Sequence, residues 1–310
     1  MKTEEQFLET GKQKIFLRTL LPDTTPRAII QINHGMAEHS DRYLQFSDIL
    51  VKNGFGVYLH DHPGHGKFIS NKNELGIIPE KKGWDHMLNT IESIHEIIKK
   101  EHMGTPLIMM GHSMGSLLTR HYLAGQYSPP DGVIISGTNF PDPVLLRAGM
   151  LLVKGFRFFY PANHKSKRLN QFFYSNFNKK IPNAKTPFDW LSSNPKEVSK
   201  YKNDPFCGFD MPLGFYHNLF KGSLQLFRAE KNLKLETNTH YLIISGKDDP
   251  VGDFGNDPQK LYNLLKKQNG KQLQLVLLDG RHELLNEKPQ IRKEFIRHII
   301  DFTEQVSERK

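Results

Sequence analysis

The chain has 310 residues, of which 37% are hydrophobic and 24% are charged, a balance typical of a folded globular protein rather than a disordered one. Its apolar runs are shorter than the roughly 20 residues that a membrane-spanning helix needs, and the first residues are too acidic and polar for a secretory signal. The single cysteine, Cys207, excludes an internal disulfide and a zinc site of several cysteines, so we expect a cytoplasmic protein.

The formal net charge of +9 is concentrated in one part of the chain. Residues 139–230 carry 14 Lys/Arg and 6 Asp/Glu, and they hold 18 of the 33 aromatic residues. The remainder has a net charge of only +1. The sequence is therefore a nearly neutral body that contains one basic, aromatic-rich segment.

Short β-rich runs alternate with helical patterns on both sides of this segment. The predicted strands are 14–21, 27–33, 55–60, 106–111, 132–136, 241–245 and 273–278. The predicted helices are 43–52, 84–100, 114–126, 258–267 and 291–306. This order predicts an α/β fold, with a mostly parallel sheet flanked by helices on both faces.

The alternation stops near residue 139 and resumes with a strand after residue 230. Between these points the chain is rich in Pro, Asn and Phe and shows no strand pattern. We therefore predict a core made of residues 1–138 and 231–310, with an inserted helical cap at 139–230.

A candidate nucleophile lies in the segment Gly-His-Ser-Met-Gly at 111–115, between a predicted strand and a predicted helix. The turn from strand to helix in a G-x-S-x-G motif is so tight that small residues must flank the serine. The hydroxyl of Ser113 would then stand clear of the sheet, beside the N–H groups that begin the helix.

A serine nucleophile needs a base, and the base needs an orienting carboxylate; in this kind of fold they follow the serine in the order acid, then histidine. The strand at 241–245 leads into Asp248 and Asp249, and the strand at 273–278 leads into His282. Loops at the carboxyl ends of parallel strands commonly hold functional sites. We assign His282 as the base and Asp249 as the acid, with Asp248 as the alternative.

The oxyanion donors are expected from backbone rather than from side chains. The strand at 27–33 runs into a His-Gly pair, which can turn a backbone N–H toward the nucleophile. The predicted donors are the N–H of Met36 and the N–H of Met114, the residue after the nucleophile.

With these residues assigned, the chain resembles the monoacylglycerol-lipase and lysophospholipase-like branch of the α/β-hydrolases. The resemblance covers nearly the whole chain and rests on HGMAEHSDRY (34–43), DHPGHG (61–66), GHSMGS (111–116), GKDDPVG (246–252) and RHELLNE (281–287), with cap similarity at 188–192 and 201–209. It implies the α/β-hydrolase fold with eight strands and a cap, Asp249 as the acid, and hydrolysis of acyl esters without a cofactor. Ser116 stands where that branch often has glycine.

The predicted substrate is a mono-acyl lipid, either a monoacylglycerol or a lysophospholipid. The alternatives are a short-chain carboxylesterase or thioesterase with the same triad, an N-terminal peptidase, and a ligand-binding receptor that kept the fold with little turnover. The basic and aromatic cap allows an acyl tunnel above Ser113 and peripheral contact with an anionic membrane. No recognised module supports nucleic-acid binding.

Clustered histidines at 60, 62 and 65, with His34 and His39, raise the question of a metal site. We predict no metal, because the Gly- and Pro-rich run at 61–66 resembles a structural loop of that branch. Its predicted role is packing and hydrogen bonding beneath the active site.

Overall fold

The computed structural model describes residues 1–10, 13–140, 142–231, 233, 235, 238–268 and 272–308. Within these residues, eight strands form one sheet in the order β1-β2-β4-β3-β5-β6-β7-β8. The strands are β1 (Lys2–Thr10), β2 (Gln13–Leu21), β3 (Ile29–Asn33), β4 (Gly56–His60), β5 (Leu107–His112), β6 (Gly132–Ser136), β7 (His240–Gly246) and β8 (Leu273–Leu278).

The strands β3 to β8 pair in parallel with their neighbours in the sheet. At one edge, β2 pairs antiparallel with β4, and β1 pairs antiparallel with β2. Helices cover both faces. Those of the core are α1 (Leu44–Lys52), α2 (Gly83–Glu101), α3 (Met114–Leu123), α8 (Asn256–Lys267) and α9 (Pro289–Ser307). The predicted α/β class, with a mostly parallel sheet between helices, is confirmed.

The first strand, β1, is absent from the sequence prediction. Its residues alternate little and are mostly exposed, so no buried apolar face reveals it. It forms because β2 offers a full edge, with which it pairs over its whole length from Lys2 opposite Leu21 to Thr10 opposite Gln13. An edge strand with charged side chains is a common way to prevent further strand addition.

The sheet is buried on both faces, as the continuous apolar runs of its parallel strands predict. In β3, Ile30 and Ile32 belong to the apolar cluster that includes Phe46 of α1 and Phe295 of α9. Ile29, on the opposite face, packs in the cluster that includes Ile94 of α2. This packing holds the carboxyl ends of the strands in one row, where the candidate residues follow.

The segment predicted as a cap contains four helices and no strand within its described residues. These are α4 (Pro143–Phe159), α5 (Lys167–Asn178), α6 (Pro195–Asn203) and α7 (Leu213–Glu230). α7 packs on α3, the helix that follows the candidate nucleophile, and apolar side chains of both meet in one cluster. The exact division of the chain at residues 139 and 230 stays a prediction.

Arg120 of α3 binds both ends of this segment. Its guanidinium donates two hydrogen bonds of 2.7 Å to the carboxylate of Glu230, and a further one of 2.6 Å to the carbonyl of Asn139. Both members of the ion pair are almost completely buried. The helix behind the candidate nucleophile thus anchors the beginning and the end of the inserted helices.

None of the helices in the described part of the chain is both long enough and apolar enough to cross a bilayer.

Candidate active site

Ser113 lies at the sharp turn between β5 and α3, with a backbone φ of +53° that non-glycine residues rarely adopt. A Cβ on Gly111 would come within 2.4 Å of the carbonyl oxygen of Gly115, and one on Gly115 within 2.0 Å of that of Asn33. Both glycines are therefore required by close backbone contact. The turn leaves Ser113 partly exposed at the carboxyl edge of the sheet.

Ser113, His282 and Asp249 form one hydrogen-bonded line. The Ser113 hydroxyl donates to Nε2 of His282 at 2.9 Å, and Nδ1–H of His282 donates to Oδ2 of Asp249 at 2.9 Å. Asp249 is 0% exposed and His282 is 2% exposed. This is the arrangement that a nucleophile, a general base and an orienting carboxylate require.

The two loops that carry the acid and the base are held together by contact between backbones. Gly246 ends β7, and a Cβ there would approach the carbonyl oxygen of Gly280 to 2.1 Å. Asp249 also accepts a hydrogen bond of 2.8 Å from the N–H of Val251 through its second oxygen. Asp248, the alternative acid, is exposed and lies outside the line.

The charge state of His282 follows from its surroundings. Burial lowers the pKa of His282, but the Asp249 carboxylate and its hydrogen bond raise it more, so the pKa lies above the ordinary histidine value. The ring of His112 packs against it with 4.9 Å between centroids, and burial lowers the pKa of His112 to about 4. His112 is therefore a neutral packing partner of the candidate base.

The predicted oxyanion donors lie in two segments that adjoin Ser113. Met114 is the first residue of α3, where backbone N–H groups have no partner inside the helix. The position of a Cβ on Gly35 would be 3.2 Å from Cβ of Ser113, which brings the loop containing Met36 against the nucleophile. This geometry allows both amides to face an oxygen held near Ser113.

A buried ionic network joins the loop at residues 34–37, named the oxyanion loop below, to the loop that contains His282. Arg42 donates to Glu38 at 2.5 Å and binds both carboxylate oxygens of Glu283 at 2.7 and 2.6 Å. Glu38 in turn accepts hydrogen bonds from Gly35 N–H at 2.5 Å and from the Tyr43 hydroxyl at 3.0 Å. Because Glu283 follows His282 directly, one guanidinium links both loops.

The same network explains how Glu38 stays ionised in the interior. Burial raises the pKa of Glu38, but the Coulombic attraction of Arg42 and the hydrogen bond from the Gly35 N–H lower it to about 2 overall. The sequence motifs alone gave no role to Arg42 or Glu283. Both lie in the motifs 34–43 and 281–287, but their spacing along the chain does not show that they meet.

The buried histidines form a hydrogen-bonded cluster beneath the oxyanion loop. Nε2 of His34 accepts the N–H of His62, and Nε2 of His65 accepts the N–H of Ala37. Burial lowers the pKa of His60 and of His65 to about 3, so these rings are neutral. A lone pair that accepts a hydrogen bond is not free for a metal, which favours the predicted structural role.

A second group of possible metal ligands, within the described part of the chain, comprises His39, Asp204 and Cys207, whose candidate atoms lie within 4.8 Å of one another. His39 and Asp204 already pair with each other at 2.9 Å. Burial raises the pKa of the Cys207 thiol, which disfavours the thiolate that metals bind. These contacts favour a structural pair beside a neutral thiol.

Aromatic side chains of the inserted helices and loops cover the base. The ring of Trp190 lies 5.1 Å from that of His282, and Tyr174 stacks on Trp190 at 6.4 Å. The indole N–H of Trp190 and the hydroxyl of Tyr174 are buried without a hydrogen-bond partner among the described residues. The aromatic composition of the cap predicts aromatic side chains above Ser113, but no pattern in the sequence identifies this pair.

The site can be compared with known proteins. The Hydrolase_4 family profile, described as serine aminopeptidase, S33, matches residues 24–289. Monoglyceride lipase of Rattus norvegicus is 24% identical over 292 residues, which cover 93% of this chain and 86% of that protein.

Solved structures are similar over almost the entire length. A thermostable carboxyl esterase from Bacillus coagulans in complex with glycerol has a TM-score of 0.85 and 28% identity, with 99% of each chain covered. A lipase in an open form has a TM-score of 0.83 and 23% identity, with 99% of this chain and 100% of that chain covered. The predicted resemblance to the monoacylglycerol-lipase branch and the α/β-hydrolase fold are confirmed by the lipase relatives and these structures.

Proposed function

Because this chain belongs to the Hydrolase_4 family, described as serine aminopeptidase, S33, we propose that it is a serine hydrolase that cleaves carboxylic esters of mono-acyl lipids. Membership of the family makes it a hydrolase; the ester and the lipid are our proposal. The observation that carries it is the line from Ser113 through His282 to Asp249 beneath an aromatic cover. The proposed substrate is a monoacylglycerol or a lysophospholipid.

In the proposed reaction, His282 takes the proton of the Ser113 hydroxyl as its oxygen attacks the ester carbonyl. The N–H groups of Met36 and Met114 stabilise the oxyanion, and His282 returns the proton to the departing alcohol. Water, activated by the same imidazole, then attacks the acyl-enzyme and releases the fatty acid. Asp249 orients the ring and stabilises its charged form.

The surroundings of Ser113 support an acyl chain as the group that binds. Met114 belongs to an apolar cluster that continues into the inserted helices through Val153, Leu213 and Phe215. A groove of about 740 Å³ is lined by residues that include Phe172, Tyr174 and Phe188. Tyr174 also stacks on Trp190, which contacts His282. Lys167, Lys179 and Asp210 also line the groove, which would place charges beside an apolar path suited to a lipid with a polar head.

The unpartnered donors of Trp190 and Tyr174 support a substrate that also has polar atoms. Buried donors normally find a partner in the protein or in a ligand. The oxygens of a glycerol or phosphoglycerol group would supply such acceptors next to the base.

We also propose that α4 contacts an anionic membrane surface from which such lipids are drawn. Val144, Leu151 and Phe158 recur at intervals of seven residues on α4, and Phe158 is 85% exposed. The exposed basic residues Arg147 and Lys154 are also seven residues apart, so they lie in a row beside this apolar stripe. A helix of 17 residues, about 25 Å long, with an apolar stripe beside bases fits a membrane interface.

An ester panel on the purified protein tests the proposal. Nitrophenyl esters from acetate to palmitate are assayed beside a monoacylglycerol and lysophosphatidylcholine, each with wild type and with Ser113→Ala. We expect turnover of the long mono-acyl lipids that disappears in Ser113→Ala, while the circular dichroism spectrum stays unchanged.

Other results would favour the alternatives. Turnover confined to acetate and butyrate would indicate a short-chain esterase. Hydrolysis of aminoacyl nitroanilides without ester turnover would indicate the N-terminal peptidase activity that the family description names. Slow turnover with tight retention of the product would indicate a receptor. Activity of Ser113→Ala close to that of wild type would refute the assignment of the nucleophile.

A further inference from the structure

Buried side chains and the cap bind peptide groups of the oxyanion loop, from His34 to Ala37, on both sides of the Met36 N–H. The N–H of Gly35 donates to Glu38 at 2.5 Å, and the N–H of Ala37 donates to His65 at 3.3 Å. The carbonyl of Ala37 accepts hydrogen bonds from Tyr201 and from the N–H of Gly208, both at 2.9 Å.

The remaining contact determines the direction of the Met36 N–H itself. Nδ1 of His34 lies 2.7 Å from the carbonyl oxygen of Gly35, and a carbonyl can only accept, so this nitrogen carries the proton. The carbonyl of Gly35 and the N–H of Met36 belong to the same planar trans peptide and point in opposite directions. When His34 holds the oxygen on its own side of the loop, the N–H of Met36 must face the opposite side.

The protonation of His34 is determined by its other nitrogen. The backbone N–H of His62 donates to Nε2 of His34 at 2.9 Å, so this nitrogen must be unprotonated. Nε2 of His62 lies 3.2 Å from the carbonyl oxygen of His34. Nδ1 of His62 lies 3.2 Å from Nε2 of His60. One tautomer of His34, with the proton on Nδ1, satisfies all these contacts.

We infer that His34 is a positioning residue that aims the Met36 N–H at the oxyanion, and that the backbone of His62 sets the tautomer required for it. The inference rests on the proposed serine-hydrolase chemistry. His34 does not touch the substrate; it acts through the peptide between Gly35 and Met36. The histidine cluster of the loop at 61–66 thereby gains a part in the reaction beyond packing.

Two amide variants separate the two nitrogens of His34. The amide nitrogen of asparagine can occupy the place of Nδ1, so His34→Asn can keep the hydrogen bond to Gly35. Glutamine reaches the place of Nε2, so His34→Gln can keep an acceptor for His62 while it loses the donor to Gly35. His95→Gln is the matched control, because His95 is buried in α2 and neither of its ring nitrogens has a partner among the described residues.

The readouts are kcat and KM for a nitrophenyl ester, the rate of inactivation by a fluorophosphonate, and the melting temperature. Loss of one oxyanion donor typically lowers kcat about 10²–10³-fold, and a misaimed donor should cost about tenfold or more. We expect His34→Gln to lower kcat and the inactivation rate by about that factor, with KM unchanged. His34→Asn should retain most of the wild-type kcat and most of the wild-type inactivation rate.

Three results would overturn the inference: wild-type kinetics in His34→Gln, equal losses in His34→Gln and His34→Asn, or a loss that His95→Gln reproduces together with a lowered melting temperature. The fluorophosphonate readout does not depend on the identity of the ester. If wild type reacts with it but hydrolyses no lipid, the proposed substrate fails while the role of His34 is still tested.

Discussion

The floor and the roof of the site are built on different principles. The floor, at residues 34–43 and 61–66, buries charged and titratable side chains and gives nearly every one a partner. The roof, formed by α4 and α5, leaves large apolar side chains uncovered, with Phe159 77% exposed. These two parts of the molecule thus differ in how completely their groups are satisfied.

The difference reflects what each surface must do. The floor orients backbone donors, and small errors in such orientation are costly in rate, so a dense network of buried hydrogen bonds is useful there. In our proposal, the roof serves a flexible hydrocarbon chain and a membrane surface. Neither requires directional bonds, and exposed apolar area of this kind marks a binding surface.

The largest effect should come from the acid of the triad. In Asp249→Asn the imidazole loses its orienting carboxylate, and we expect kcat to fall about 10⁴-fold. Asp248→Asn is the neighbouring control, and it should stay near wild type because Asp248 is exposed. Ester kinetics of both variants provide the measurement. The reverse ranking would mean that the carboxylate was assigned wrongly.

The ion pair that anchors the inserted helices to α3 should be next in size. Glu230→Gln leaves the buried guanidinium of Arg120 without its counter-charge, and removal of one partner from such a pair costs about 3–5 kcal/mol. Urea unfolding measures the loss. Glu304→Gln serves as control, since it removes an exposed partner of Arg27 and should change the free energy of unfolding little. Equal effects of the two substitutions would argue against the anchoring role of Arg120.

Acid should destabilise the protein through its buried neutral histidines. The pKa values of His60 and His65 are lowered to about 3 by burial, whereas the unfolded chain takes up protons on these residues below about pH 6.5. Stability from such groups is present above the unfolded pKa and is lost as pH falls toward the folded pKa, by up to about 1.4 kcal/mol per residue and pH unit.

Urea unfolding at pH 8, 6.5 and 5 checks this expectation. The free energy of unfolding should be similar at the two higher values and clearly smaller at pH 5. A stability that is unchanged between pH 6.5 and 5 would mean that the buried histidines are not held neutral.

The smallest effect on chemistry should come from the outer face of α4. Phe158→Asp with Phe159→Asp should weaken binding to anionic phospholipid vesicles about tenfold or more, because burial of one such side chain is worth about 1.5–3 kcal/mol. Turnover of nitrophenyl acetate should not change. Met103→Asp is the control, since Met103 is 85% exposed on the turn after α2. Binding is measured by sedimentation with vesicles. If wild type and all variants bind equally, α4 is not the membrane contact.

Much of this protein follows from local pattern. Alternation of apolar runs with helical periodicity predicts the parallel sheet, because both patterns reflect burial of side chains close together in the chain. The motif at 111–115 and the residues after two later strands predict Ser113, Asp249 and His282. The residues lie in hydrogen-bonded order because parallel strands end at one edge of the sheet.

Other features depend on contacts that no local pattern encodes. The strand β1 exists only because β2 presents a complementary edge. Arg42 meets Glu283 across 241 positions, and Arg120 meets Glu230 across 110. Spacing along the chain does not reveal such pairs, since burial and distance decide which charges meet and therefore which pKa values shift.

The sequence by itself determined the α/β architecture, the nucleophile turn and the order of the triad, because each depends on periodicity or on steric limits within a few residues. Only the tertiary structure decided how the oxyanion loop is held, which tautomer His34 adopts and which face of α4 stays bare. Those properties depend on which groups from distant parts of the chain lie within hydrogen-bond distance of one another, and on which find no neighbour at all.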